Sequence, residues 1–128
     1  MTLKTSKTIK SVFLHAALCV AFASQAWAQA YPAKPVRLVV PYPAAGVAEV
    51  MSRIAAERIA LQWGQAVIIE PRPGGNGVIG TEAVLAAPAD GYTWLGVSSG
   101  HAAIGGLNPK LRWNPATDFV AAGLFAQS

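Results

Sequence analysis

The chain has 128 residues, 53% of them apolar and 12% charged, which is enough for one modest globular domain and unlike the composition of a disordered chain. Its formal charge of +4 arises at the start, where Lys4, Lys7 and Lys10 supply three of the ten basic residues. The seven that are left nearly balance six acidic residues, which excludes the basic patch that nucleic-acid binding requires.

The first 28 residues have the organisation of a secretory signal peptide. Three lysines precede an apolar run over 12–23, and Ala26-Trp27-Ala28 forms a small-x-small cleavage site. The run is shorter than the roughly 20 residues that a membrane-spanning helix needs. We therefore predict that residues 1–28 are removed near Ala28 and that residues 29–128 form a periplasmic protein.

The remaining chain alternates strand and helix patterns. After a proline-stiffened entry, the predicted elements in chain order are a strand over 36–40, a helix over 47–62, a strand over 66–69, a helix over 78–87, a strand over 92–97, a short helix after residue 101, and a fourth strand within 119–126. Short βα connections imply right-handed crossovers. The predicted fold class is therefore α/β with a mostly parallel sheet.

The first helix shows an amphipathic pattern. Its apolar stripe, which we expect to face the core, consists of Val47, Val50, Met51, Ile54 and Leu61. Glu49, Arg53 and Glu57 are expected to point to solvent. Glu49, near the helix start, is expected to complement the helix dipole.

Two loops offer neutral groups to an anion at the carboxyl ends of the strands, where ligands gather in open parallel sheets. The loop at Tyr42, Pro43, Ala44, Ala45 and Gly46 leads into a helix N-terminus with unpaired N–H groups, although a stiff turn explains it equally well. Ser98, Ser99, Gly100 and His101 combine two hydroxyls, a small residue and an imidazole, a donor set suited to a carboxylate. A structural turn is the alternative there.

Gly75-x-Gly77-x-x-Gly80 matches the dinucleotide-binding fingerprint between a strand and a helix. Two prolines separate the preceding strand from these glycines, and no acidic residue ends the next strand to bind a ribose. Because the motif itself matches, a nucleotide-dependent α/β enzyme that uses Gly75 to Gly80 is kept as the alternative function. Because His101 is the only histidine after the leader and the last cysteine is Cys19, we predict no catalytic residues and no metal. The two prolines and the missing acidic residue lead us to predict no cofactor.

Four segments together resemble one family. They are Tyr31-Pro32-x-Lys34-Pro35-Val36-Arg37-Leu38-Val39-Val40-Pro41, Glu70-x-Arg72-Pro73-Gly74, Ala87-Pro88-Ala89-Asp90-Gly91-Tyr92-Thr93, and Asn108-Pro109 followed by Asp118-Phe119. In order and spacing the chain resembles the periplasmic receptors of tripartite tricarboxylate transporters, the Bug family of extracytoplasmic solute receptors.

The resemblance implies part of one lobe of a type II periplasmic-binding-protein fold, a two-lobed Venus flytrap. It implies binding of a di- or tricarboxylate or an amino acid, delivery to membrane transporter subunits, and no enzymatic activity. Residues 42–46 and 98–101 match the family's ligand-facing segments, and Asn76 and Gly77 match its glycine-rich loop.

The chain also departs from the family pattern. Ala44-Ala45-Gly46 stands where Pro-Gly-Gly is usual, Glu49 where Asp is usual, and Pro71 where Asn is usual. Family members are two to three times as long, so the second lobe is expected to be absent. We accordingly expect an unpaired strand edge, uncovered apolar surface and no tight ligand binding, and a truncated product without function stays a further alternative.

Overall fold

The computed structural model describes residues 30–125, and the chain divides into two compact units, Met1–Tyr31 and Pro32–Ser128. The predicted signal peptide and its cleavage site therefore lie outside the described residues. None of the helices within 30–125 has the length and apolar character needed to cross a membrane.

The second unit alternates strands and helices as the sequence predicts. Its elements are β1 (Val36–Val40), α1 (Val47–Trp63), β2 (Val67–Pro71), a short 3-10 turn (Gly75–Gly77), α2 (Val78–Leu85), β3 (Thr93–Leu95) and α3 (Gly100–Leu107). The three strands form one parallel sheet in the order β2-β1-β3. The predicted α/β class with a parallel sheet is thus confirmed.

The central strand β1 forms the core of the unit. Val36, Leu38, Val39 and Val40 are almost completely buried, whereas Arg37 lies near the amino end of the strand and is exposed. A valine-rich, nearly continuous apolar run suits a strand that is covered on both faces. Right-handed connections, the usual hand for parallel strands, place α1 and α2 on opposite faces, because the chain first moves from β1 to β2 and then back across to β3.

Helix α1 buries the opposite face from the one predicted. The stripe Val47, Val50, Met51, Ile54 and Leu61 is between 41% and 81% exposed, whereas Glu49, Ser52 and Ala56 are buried. The physical reason is close packing: a Cβ placed on Gly96, just after β3, would lie 3.1 Å from the Ser52 hydroxyl. Small side chains let the helix approach the sheet, and a narrow three-stranded sheet covers only one stripe of it.

The predicted fourth strand is also wrong over the residues described. Residues 119–125 have no regular secondary structure, and Val120, Leu124 and Phe125 are exposed. A strand forms only where a neighbour supplies hydrogen bonds, and no edge of this sheet lies paired with the segment.

The entry segment is attached to the turn before β3. The Ala33 N–H donates to the Tyr92 hydroxyl at 2.9 Å, and the Lys34 ammonium pairs with Asp90 at 3.2 Å. The same ammonium lies 4.3 Å from the centre of the Tyr92 ring. These contacts connect residues nearly 60 positions apart and fix the start of the unit beside β3.

Candidate functional site at the carboxyl edge of the sheet

The parallel register brings three loops to one edge of the sheet. Val40 at the end of β1 is in register with Pro71 at the end of β2, and Val39 is in register with Leu95 at the end of β3. We name the segments that follow the strands the first loop (residues 41–46), the second loop (72–77) and the third loop (96–101). The last of these includes the first turn of α3.

A pair of hydroxyls connects the first loop to the third. The Tyr42 hydroxyl lies 3.0 Å from the Ser98 hydroxyl, and the Ser98 N–H donates to the Tyr42 oxygen at 3.3 Å. The Tyr42 hydroxyl, the Ser98 hydroxyl and the Ser98 amide each carry one hydrogen, and the two hydrogen bonds between them use only two of these three. One hydroxyl hydrogen stays available to an outside acceptor whichever group donates within the pair.

The glycines of the second loop serve close packing. A Cβ on Gly80 would lie 2.7 Å from the Pro41 Cβ and 2.8 Å from the Arg72 carbonyl oxygen. Gly77 is buried against Pro41, and its carbonyl accepts the Thr81 hydroxyl at 2.8 Å. The contact between α2 and the first loop explains why glycine is needed at these positions.

The first loop contains a strained residue. Ala45 has a φ of 63°, in the left-handed region that glycine adopts more readily. Its N–H donates to the Glu49 carboxylate at 3.3 Å, and the Gly46 N–H donates to the Pro43 carbonyl at 3.3 Å. The buried carboxylate of Glu49 also pairs with Arg53 one turn later. The loop is thus held by Glu49, which explains the burial of a residue that we expected at the surface.

The predicted site residues differ in accessibility. Those open to solvent are Pro43, Ala44, Ala45, Asn76, Ser98, Ser99 and Gly100, while Tyr42 and Gly46 are half-buried. Gly77 and His101 are buried, and His101 is only 8% exposed. The structure therefore brings all the predicted segments to one edge, with most of their residues accessible and the imidazole directed into the packing.

The charged groups near this edge are compensated. Arg72 at the start of the second loop bonds to Glu70, which also accepts from Arg37 at 3.0 Å. Hydrogen bonds from Arg37 and then Arg72 outweigh desolvation and lower the pKa of the Glu70 carboxyl. Within residues 30–125 no group of three His, Cys, Asp or Glu side chains is placed to hold a metal ion. The edge therefore offers neutral donors and helix N-termini to a ligand.

Two residues that contact the third loop were missed as part of the site. The His101 ring stacks on Trp113, with ring centres 5.5 Å apart and planes inclined by 13°, and Phe119 meets both rings edge-on. The only sequence signal for this contact is the position of Trp113 between Asn108-Pro109 and Asn114-Pro115, two turns that bring the chain back against α3.

Comparisons with known proteins agree on one family. Residues 51–127 match the model described as tripartite tricarboxylate transporter family receptor. Protein BugT of Bordetella pertussis is 38% identical over 99 residues, which cover 76% of this chain and 30% of that protein. The chain thus spans about a third of the length of the relatives it matches.

Solved structures of similar sequence have the same fold. MatC from Rhodopseudomonas palustris, solved with bound malate, is 31% identical with a TM-score of 0.69 over 74% of this chain and 33% of that one. Another R. palustris protein, solved with adipate, is 35% identical with a TM-score of 0.54 over 56% of this chain and 24% of that one.

Proposed function

Since the chain belongs to the tripartite tricarboxylate transporter receptor family, we propose that it is the first part of a periplasmic receptor that binds a small carboxylate at the carboxyl edge of its sheet. The relatives solved with malate and adipate support this ligand class. Because the chain covers 30% of BugT, the ligand, the transporter subunits that receive it, and the second lobe are proposals about the whole receptor.

The chemistry of the three loops supports a carboxylate ligand. The first N–H groups of α1 have no partner inside their helix, and α1 starts at this edge. Helix α3 also starts here, but its His101 and Ala102 N–H groups donate to the Ser98 and Ser99 carbonyls, so only the Gly100 N–H of its first turn is left for a ligand. Helix N-termini favour negative charge through their backbone N–H groups and dipole. With neutral donors of this kind, only the charge of the anion is desolvated on binding, because the predicted site residues include no Lys or Arg side chain that would also lose its water.

The single observation that carries the proposal is the contact between Tyr42 and Ser98. It joins two loops that are 56 positions apart in the sequence and leaves one hydroxyl hydrogen for an acceptor at the open edge. A carboxylate is acceptor-only when ionised, so it matches that hydrogen together with the exposed N–H groups around it. We propose that the site binds this ligand without chemical change.

The residues proposed to contact the ligand are those of the predicted segments that remain accessible at the edge. They are Tyr42, Pro43, Ala44, Ala45, Gly46, Asn76, Ser98, Ser99 and Gly100. Gly77 is buried against Pro41 and is proposed to support the second loop without contacting the ligand. The nucleotide-dependent enzyme is not favoured, because Gly77 and Gly80 are used in packing against Pro41.

A titration of the chain with malate and adipate, followed by amide NMR, tests the proposal. We expect weak binding with shifts confined to residues 42–46, 76–77 and 98–101, and no shifts with the uncharged diamide of adipate. Ser98→Ala should weaken the response, while Gln62→Ala, an exposed change at the far end of α1, should leave it unchanged. Carboxylate-induced shifts located elsewhere, or none at any concentration, would count against the proposal.

Export is proposed on separate grounds, because the leader lies outside the described residues. Amino-terminal sequencing of the chain recovered from a periplasmic extract should give a start near Gln29. Recovery of the uncleaved chain from the cytoplasm alone would contradict this part of the proposal.

A further inference from the structure

An aromatic cluster lies beneath the third loop. It consists of His101 in the first turn of α3, with Trp113 and Phe119 from the following segment. The His101 and Trp113 rings are nearly parallel, and the Phe119 ring meets them edge-on at 5.9 and 6.1 Å. His101 is 8% exposed and Trp113 is 9% exposed. The cluster is therefore a small satellite core, formed by α3 and residues 113–119.

The cluster is suited to a neutral imidazole. The Nε2 of His101 and the Nε1 of Trp113 are buried without a hydrogen-bond partner among the described residues. Burial lowers the pKa of His101, because the charged form is desolvated. Stacking a cation on an indole offsets only part of the penalty for burying a charge that has no ion-pair partner.

No charged group compensates a proton on His101. Helix α3 contains no charged residue, and within residues 30–125 no ion pair involves His101. On the segment packed against it, Lys110, Arg112 and Asp118 are exposed. Asp118 instead accepts the Asn114 N–H at 2.9 Å and the Thr117 hydroxyl at 3.0 Å. The imidazolium would thus lack a partner in this packing.

The backbone of His101 is hydrogen-bonded to the loop that presents the serines. The backbone N–H of His101 donates to the Ser98 carbonyl at 3.0 Å, and the backbone N–H of Ala102 donates to the Ser99 carbonyl at 3.2 Å. One turn later Ile104 is buried, and a Cβ on Gly105 would contact Pro115 at 3.5 Å. The contact between α3 and the following segment therefore begins at His101 and fixes the turn from its carboxyl side.

We infer that His101 is a positioning residue whose neutral ring, stacked on Trp113, holds the turn at Ser98 to Gly100, and that protonation of the ring releases this turn. The ring itself contacts no ligand in this arrangement. The effect of His101 on the geometry of the loop does not depend on the proposed function. Its effect on ligand binding rests on the proposed function.

The direction of the pH dependence follows from the burial. The released form binds the proton more readily than the packed form, since its imidazole is solvated. The turn is therefore fully held above the ordinary histidine pKa of 6.5, and the stabilisation is lost as pH falls from there through the lowered pKa of the packed ring.

The test needs no ligand. In the full 128-residue chain the two histidines are His15 and His101, so a His15→Gln variant isolates one imidazole signal for NMR. We expect the amides of Ser98, Ser99 and Gly100 to shift with the same midpoint as the His101 ring, below pH 6.5. A ring that titrates while these amides stay unchanged, or a midpoint at or above the ordinary value, overturns the inference.

Two variants separate positioning from general stability. His101→Phe keeps an aromatic ring without a titrating group, so the pH-dependent shifts should vanish while slow amide exchange in the turn is retained. Relative to the parent, His101→Ala should speed that exchange about tenfold above the midpoint of the ring, the equivalent of a lost aromatic pair, and should change it little below the midpoint, where the parent turn is already released. If neither variant folds, the titration of the His15→Gln chain still decides the matter.

The outcomes also distinguish the two proposals. If the turn follows the ring but no carboxylate binds at any pH, the proposed function fails and the positioning role stands. If carboxylates bind with equal affinity on both sides of the ring's midpoint, the regulatory part of the inference fails and the proposed function stands.

Discussion

The backbone N–H of Ala45 donates to the carboxylate of Glu49 at 3.3 Å, and this bond holds Ala45 at a φ of 63°. An alanine in the left-handed region is about 1–2 kcal/mol less stable than in its usual conformation. The buried carboxylate, which also pairs with Arg53, offsets part of that strain by satisfying the N–H ahead of the first turn of α1. The loop proposed to bind the ligand is therefore pre-shaped at some expense of stability.

Ala45→Gly should stabilise the chain. Glycine adopts the left-handed region without the steric penalty, although its flexible unfolded state reduces the gain, so we expect about 0.5–1 kcal/mol in the free energy of unfolding measured with urea. Ala44→Gly is the matched control, since Ala44 does not have a positive φ, and it should lower stability slightly. Equal effects of the two changes would contradict the strain.

Gly80→Ala should destabilise the chain by about 1–3 kcal/mol, because the new methyl group would overlap Pro41 and the Arg72 carbonyl oxygen at less than 3 Å. The comparison is Gly106→Ala, in helix α3 with no atom within 4 Å of the new Cβ. That change should add about 0.5–1 kcal/mol through helix propensity. A Gly80→Ala chain as stable as the parent would show that α2 does not pack closely on the first loop.

Ile54→Gln tests which face of α1 is buried. Ile54 is 52% exposed, so the change should alter the free energy of unfolding by no more than about 0.5 kcal/mol and should reduce aggregation. By contrast, Val39→Ala removes a side chain that is 1% exposed and should lose about 2 kcal/mol. A loss at Ile54 as large as that at Val39 would mean that the apolar stripe is covered in solution.

Glu70 should contribute to a pH dependence of stability below neutral pH. Its pKa is lowered in the folded chain by Arg37 and Arg72, so its stabilisation is present above the unfolded value of 4.5 and is lost as pH falls through the lowered value. The effect should be small and should weaken with salt, because these side chains are partly exposed.

Urea midpoints measured between pH 7 and pH 3 in low and high salt check this prediction. Glu70→Gln should flatten the curve in the acidic part of the range, and Glu82→Gln, at an exposed position of α2, should not. Unchanged curves in the Glu70→Gln chain would show that the two arginines do not stabilise the carboxylate.

Much of the fold follows from sequence patterns that act locally. The nearly continuous apolar run at Val36 to Val40 predicts a strand covered on both faces, and the glycine and proline positions predict the loops at the carboxyl edge. The positions of three strands and three helices and the parallel direction of the strands were predicted correctly, because short βα connections permit few arrangements.

The errors arose where the neighbouring surface, and not the local sequence, decides which face of a helix is buried or whether a segment pairs as a strand. The apolar stripe shows that α1 is amphipathic but does not show which face is buried. The small side chains of Ser52 and Ala56 allow α1 to approach Gly96 closely, so the face that carries them is buried. The segment after Asp118 has strand-like composition yet no edge to pair with among the described strands. The stacking of His101 on Trp113 depends on a turn that composition does not specify, so the sequence does not predict this contact.

The attachment of Ala33 and Lys34 to Tyr92 and Asp90 has a consequence for maturation. If a peptidase cuts near residue 28, only residues 29–32 precede the first anchored amide, so the new terminus is a short tail rather than a long arm. The contacts of Ala33 and Lys34 and all three strands lie after such a cut, so the shortened chain retains them.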